Sequence, residues 1–124
     1  MVFEDEASKG TDAVLERLLE DEARVPSLWT FEVTNVLVVA ERRGRINESQ
    51  AARFLDLLTQ LPIRVDVPPV DATSLLSAGR RHGLTTYVSA YLVLAERLGA
   101  PLATMDRELA TACRKAGVEV IVAG

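Results

Sequence analysis

A carboxylate follows a short, mostly apolar run near the end of the chain, where Pro101-Leu102-Ala103-Thr104-Met105 leads directly into Asp106. The run predicts a strand, and the residues after Asp106 have the pattern of a helix. Open α/β sheets bind ligands just outside the carboxyl ends of their parallel strands, so Asp106 is a candidate for catalysis or metal binding. From the spacing alone, the favoured alternative is that Asp106 is only the N-cap of the next helix. Its neighbours Thr104 and Glu108 are ordinary residues for a strand and a first helical turn.

Glu32 is the second candidate, because it is the acid within the mostly apolar segment 29–37. Glu32 and Asn35 share one face of the helix predicted there, since they are three residues apart. Val36 and Val39 continue that face, which predicts a partly buried carboxylate that needs a partner such as a cation. The alternative is a glutamate in the first turn that is stabilised by the helix dipole.

Helix and strand patterns alternate along the chain and must position these candidates. The predicted strands cover residues 23–28, 63–67, 101–105 and 118–122. Six helices are predicted, of which three cover residues 11–22, 31–43 and 107–116. A fourth begins at a capping box formed by Asn47 and Gln50 and stops at Pro62. The other two are capped by Asp71 and by Thr85 or Thr86, and they end at His82 and Gly99. Strands separated by helices predict a parallel sheet with helices on both faces, and Pro26 predicts an end or edge position for its strand.

Composition and charge bound the classes of function. A chain of 124 residues with 48% hydrophobic and 26% charged residues has the profile of one globular domain. The formal net charge of −4 excludes a global basic field that would indicate a nucleic-acid-binding protein. Two local basic clusters remain, residues 42–45 and residues 80–82, and each is either a solvated helix end or part of a basic rim.

Single residues exclude several kinds of site. Cys113 is the only cysteine and His82 is the only histidine, so neither an intrachain disulfide nor a cysteine-based zinc cluster can form. A histidine-based triad would have to use His82, which lies at a predicted helix end. No Gly-x-Gly-x-x-Gly or Walker-type loop follows a predicted strand, which disfavours a nucleotide-binding domain. Without a signal peptide or a membrane-spanning run, we expect a cytoplasmic protein.

Three segments, taken in order, resemble PIN domains. They are residues 25–35, residues 83–94 and Ala103-Thr104-Met105-Asp106, and the closest likeness is to the VapC-type toxins of bacterial toxin–antitoxin pairs. The resemblance covers residues 3–122 and implies a single PIN-like domain over residues 1–124, with a three-layer α/β/α architecture and a short parallel sheet. It also implies an endoribonuclease that depends on Mg²⁺ or Mn²⁺, with RNA as substrate and a cognate antitoxin as protein partner.

The resemblance assigns roles to individual residues. Glu32 and Asp106 match the catalytic, metal-binding acids of the family, and Asn35, Thr104 and Glu108 match supporting polar positions. Such a site has a physical rationale, because Mg²⁺ prefers several hard oxygen ligands and can activate a water on the scissile phosphate.

The chain departs from the family at two places. The family begins with an apolar strand that ends in an aspartate, whereas residues 1–6 look like the tail of the helix after that strand, so Asp5 is not that aspartate and the first strand is predicted to be missing. The family also has an aspartate where this chain has Val88, and Ser89 beside it is a poor, neutral substitute. Two missing ligands predict weak metal binding and weak or absent cleavage, and a missing strand predicts a homo-oligomer that covers the exposed apolar surface. The chain is then either a ribonuclease or a degenerate PIN-like protein that binds an antitoxin-like partner or RNA without cutting.

Overall fold

The computed structural model describes residues 1–4, 21–66 and 71–122. The strands are β1 (Val2–Phe3), β2 (Ala23–Pro26), β3 (Ile63–Asp66), β4 (Leu102–Thr104) and β5 (Val120–Val122). The helices are α1 (Leu28–Arg42), α2 (Glu48–Thr59), α3 (Ala72–His82), α4 (Thr86–Leu98) and α5 (Arg107–Lys115). The predicted helix over residues 11–22 lies largely outside the described residues, as do Asp5 and the predicted break at Pro68-Pro69.

The five described strands form one parallel sheet in the order β3-β2-β1-β4-β5. Val2 of β1 pairs with Arg24 on one side and with Leu102 on the other, and Phe3 pairs with Ala103. Because all strands are parallel, their carboxyl ends meet at one edge of the sheet. The predicted α/β fold with a short parallel sheet is therefore confirmed.

The prediction that the first strand is missing is wrong. Val2–Phe3 forms the middle strand of the sheet, and the amide of Glu4 donates to the carbonyl of Ala103 at 2.9 Å. The reason lies in length, since a strand of two residues is too short to show the alternation by which strands are recognised in a sequence. Val and Phe nevertheless belong to the residue types that favour strands.

Apolar side chains pack on both faces of the sheet. On one face, Val2 and Leu102 are fully buried beneath α4 and α5, where Leu92 and Leu109 complete the centre of the core. On the other face lies a smaller cluster of buried residues that Trp29 of α1 contacts. That cluster consists of Met1, Ala23, Val25 and Ala103. Adjacent strand residues alternate between the faces, which is why Leu102 and Ala103 belong to different clusters.

The predicted helix starts agree with the structure where a polar side chain caps the helix. The capping box is confirmed, because Asn47 Oδ1 accepts from the Gln50 amide at 2.8 Å and Gln50 Oε1 accepts from the Asn47 amide at 2.9 Å. Asp71 and Thr85 cap the two following helices as predicted. Helix α1 begins at Leu28, three residues earlier than predicted, because Ser27 provides no side-chain cap that would mark the start. Pro26 lies at the end of β2, although β2 is an inner strand.

In the part of the chain that the structure describes, no helix is both long enough and apolar enough to cross a membrane.

Candidate functional site

Two acids lie at the carboxyl ends of the neighbouring strands β1 and β4, joined by one hydroxyl group. Thr104, the last residue of β4, donates from Oγ1 to Glu4 Oε1 at 3.0 Å. Thr104 Oγ1 also accepts a hydrogen bond from the Asp106 amide at 3.0 Å. Thr104 is 2% exposed and Glu4 is 9% exposed, so this contact is buried. A buried carboxylate needs such donors, and Thr104 therefore fixes both the Glu4 side chain and the backbone at Asp106.

Asp106 is the N-cap of α5, as one of the two sequence interpretations predicted. Its Oδ1 accepts from the Leu109 amide at 3.1 Å, and its side chain is half-buried. This bond satisfies one of the amides that a helix start leaves unpaired. The cap does not exclude a second role, because the carboxylate has another oxygen at the strand end where α/β folds bind ligands.

Glu32 differs from its prediction in three respects. Because α1 begins at Leu28, Glu32 lies in the second turn, and no acidic residue lies in the first, so the helix-dipole interpretation is wrong. Its partner is the phenolic hydroxyl of Tyr91 in α4, which donates to Glu32 Oε1, instead of a cation. The predicted partial burial is also wrong, since Glu32 and Asn35 are both exposed and Val36 is 49% exposed.

Val88 occupies the third residue of α4, where its amide donates to Thr85 Oγ1 at 3.2 Å. Its side chain is half-buried and packs against the main core cluster. Ser89 is fully buried, and its hydroxyl lacks a hydrogen-bond partner in the structure as described. Neither residue therefore offers a carboxylate at this helix start.

The sequence candidates are only partly brought together. Thr104 and Asp106 share a network with Glu4, whereas Glu32 is held by α4, and Glu108 is exposed in the first turn of α5. Sequence reasoning missed Glu4 and Tyr91. Glu4 follows an apolar pair just as Asp106 follows an apolar run, and that similarity was the available signal.

A divalent cation does not fit the described residues as they stand. Carboxylate oxygens are the ligands that Mg²⁺ and Mn²⁺ prefer. Among residues 1–4, 21–66 and 71–122, however, no three Asp, Glu, His or Cys side chains lie together in a way that could hold a metal. The donor chemistry agrees with the predicted cofactor, but the number of gathered ligands does not.

A cavity with a volume of about 570 Å³ lies apart from these acids, between α3 and α4 near the ends of β2 and β3. Of the charged groups that line it, Arg97 forms an ion pair with Asp66, which Arg24 also approaches at 3.7 Å. The cavity lacks the acids that the resemblance implies, so the candidate site stays at the ends of β1 and β4.

Two curated proteins are similar to the chain over most of its length. Ribonuclease VapC3 of Pyrobaculum aerophilum is 34% identical to the chain over 85 residues, which are 67% of this chain and 65% of VapC3. Ribonuclease VapC1 of Mycobacterium tuberculosis is 34% identical over 110 residues, which are 86% of this chain and 80% of VapC1. The chain belongs to the VapC-type PIN-domain family. The match spans just under two thirds of VapC3 itself.

The fold comparison agrees with the VapC-type assignment. The crystal structure of PAE2754 from Pyrobaculum aerophilum superposes with a TM-score of 0.78 at 23% identity, covering 98% of this chain and 87% of that one. At this identity the likeness shows the fold alone. No family model matches the chain.

Proposed function

We propose that the chain is a VapC-type endoribonuclease, hydrolysing RNA phosphodiester bonds, whose own activity is weak or absent because its acidic site is incomplete. The observation that carries the proposal is the contact between Glu4, Thr104 and Asp106 at the ends of β1 and β4. The relatives named ribonucleases support the reaction class. Mg²⁺ or Mn²⁺ is the proposed cofactor, and we expect weak binding because too few ligands are gathered.

The proposed roles follow from the contacts. Thr104 holds the Glu4 carboxylate by donating to it, and the Leu109 amide fixes the Asp106 side chain through Oδ1. Tyr91 orients Glu32 from α4. Without a cation, the carboxylates of Glu4 and Asp106 would repel a phosphodiester, and we attribute the weak activity to this uncompensated negative charge.

Val88 is the residue to which we attribute the loss. Valine has no oxygen ligand, whereas the resemblance to the family implies an aspartate there. An aspartate at this position is compatible with the helix, because the first turn of α4 favours a negative charge. Val88→Asp should therefore fold, and it adds a carboxylate one turn before Tyr91, which contacts Glu32.

RNA cleavage with Mn²⁺ tests the proposal when it is measured for the natural chain, for Val88→Asp and for Val88→Asn. We expect little cleavage by the natural chain, clear cleavage by Val88→Asp, and none by Val88→Asp combined with Glu32→Gln. Val88→Asn controls for polarity without the charge. Robust cleavage by the natural chain that Glu32→Gln abolishes would show that the site is complete. Cleavage that is unchanged by substitution of Glu32 and Asp106 would place the site elsewhere.

The second candidate function is a non-catalytic PIN-like protein that binds an antitoxin-like partner or RNA. Val88 favours it, because the half-buried valine contributes to the core instead of to a site. If neither the natural chain nor Val88→Asp cleaves RNA, and RNA binding by the natural chain is unaffected by Mn²⁺, this second function is the correct one.

The proposed partners are RNA, a cognate antitoxin and a second copy of the chain. Apolar exposure on α1 supports self-association, since Phe31 is 77% exposed and Val36 is 49% exposed. A monomer across a wide concentration range in light scattering would exclude the homo-oligomer. An RNA substrate favours a cytoplasmic location, which cell fractionation can check.

A further inference from the structure

Basic side chains form a stripe along α5 beside the candidate site. Arg107, Thr111 and Arg114 follow one another at positions i, i+4 and i+7, and all three are exposed. The opposite side of α5 is buried, with Leu109 and Cys113 fully enclosed in the core. The stripe is therefore held in place by a well-packed helix.

The stripe borders a groove that reaches the candidate site. This groove, with a volume of about 330 Å³, is lined by Thr104, Asp106, Arg107, Thr111 and Arg114, among others. It thus places two guanidinium groups and a threonine hydroxyl next to the acid at the end of β4. The exposed acid of the same helix, Glu108, lines an adjoining groove with His82, and Arg107 and Thr111 border both grooves.

Arg107 and Arg114 differ in ion pairing from the arginines around β2 and β3. Arg24, Arg64 and Arg97 form ion pairs with Glu22 or Asp66 around β2 and β3. Among the described residues, Arg107 and Arg114 form no ion pair.

We infer that the groove along α5 binds the phosphate backbone of single-stranded RNA, with Arg107 and Arg114 contacting phosphates that follow the one at Asp106 along the helix. This inference rests on the proposed RNA substrate. Arginine suits the role because its planar guanidinium binds phosphate oxygens through two parallel hydrogen bonds. Contacts of this kind fix the register of the strand without reading its sequence.

The contacts have a measurable salt signature. Each phosphate contact on a single strand contributes about 0.7 to the slope of log K against log salt concentration. Loss of both arginines should therefore reduce that slope by about 1.4, and at about 50 mM salt it should weaken binding roughly 10- to 100-fold.

The test is fluorescence anisotropy of a labelled single-stranded RNA of roughly 12 nucleotides, titrated at several salt concentrations. Arg107→Gln/Arg114→Gln is compared with Arg42→Gln/Arg53→Gln, which removes the same charge from exposed sites on α1 and α2. We expect the α5 pair to lose affinity and slope as stated, and the control pair to bind within about twofold of the natural chain.

The inference is overturned if the α5 pair binds like the natural chain, if both pairs weaken equally, or if the natural chain binds no RNA. A cleavage assay separates this outcome from failure of the proposed function. Cleavage by Val88→Asp whose KM is unchanged by Arg107→Gln/Arg114→Gln overturns the groove alone. RNA binding through α5, together with no cleavage by any variant, overturns the catalytic proposal alone.

Discussion

Helices α1 and α4 are similar in length and both rich in apolar residues, yet they differ completely in burial. Six residues of α4 are buried, whereas α1 has none among the described side chains. Phe31 of α1 is 77% exposed, and Leu92 of α4 is fully buried. The apolar content of a helix therefore does not by itself predict whether its side chains pack against the rest of the domain.

The difference arises from position in the fold. Helix α4 packs across β1, β2 and β4, while α1 reaches the core through Leu28 and Trp29 near its start. The residues of the candidate site differ in the same way, because they come from both the buried and the exposed parts of the fold. Thr104 and Asp106 lie on the packed part of the molecule, whereas Glu32 projects from the exposed helix and depends on Tyr91 for its orientation.

The largest expected effect of this contrast is on stability. Leu92→Ala opens a cavity in the packed region and should lower the free energy of unfolding by about 3–5 kcal/mol. Val38→Ala on α1, where the side chain is 42% exposed, should change it by about 1 kcal/mol or less. Urea denaturation followed by circular dichroism measures both, and similar losses would show that α1 is as well packed as α4.

The second effect tests the buried hydroxyl group of the candidate site. Thr104→Val keeps the side-chain shape but removes a donor to the Glu4 carboxylate and an acceptor for the Asp106 amide, at a cost of about 1–3 kcal/mol. Thr34→Val on α1 is the matched control, because its exposed hydroxyl contacts only backbone carbonyls, those of Thr30 and Phe31. Equal changes in urea midpoint would argue against a structural role for the Thr104 hydroxyl.

A third effect concerns pH. Burial raises the pKa of the Cys113 thiol to about 11, with a smaller contribution from the Glu96 carboxylate. The unfolded thiol loses its proton at lower pH than the folded one, so this group lowers stability as pH rises from about 9 to 11. The folded protein should react slowly with a thiol reagent at pH 8, and the urea-unfolded protein quickly. Equally fast reaction of both would place Cys113 outside the packed core.

The smallest expected effect on stability comes from α1. Phe31→Ser should leave the free energy of unfolding within about 0.5 kcal/mol, because the ring is largely exposed. The same substitution should weaken self-association, since it removes the most exposed aromatic surface of α1. Multi-angle light scattering at several concentrations measures this, with Thr30→Ser as a control on the same helix. An unchanged oligomer would assign the contact to another surface.

Sequence reasoning succeeded where the signals were local. Caps at Asn47, Asp71 and Asp106 predicted helix starts because each side chain accepts a hydrogen bond from an amide two or three residues later. It failed for β1, because these two residues are recognisable as a strand only through their pairing with β2 and β4. It also failed for the partner of Glu32, because Tyr91 lies 59 residues away and only tertiary structure joins them.

Binding of Mn²⁺, measured by calorimetry on the folded chain, tests most directly the claim that Val88 leaves the acidic site incomplete. We predict weak binding by the natural chain, a gain of roughly tenfold or more for Val88→Asp, and loss of that gain when Asp106→Asn or Glu32→Gln is added. Val88→Asn controls for the loss of the valine. Tight binding by the natural chain, or a gain in Val88→Asp that survives both Asp106→Asn and Glu32→Gln, would contradict the account.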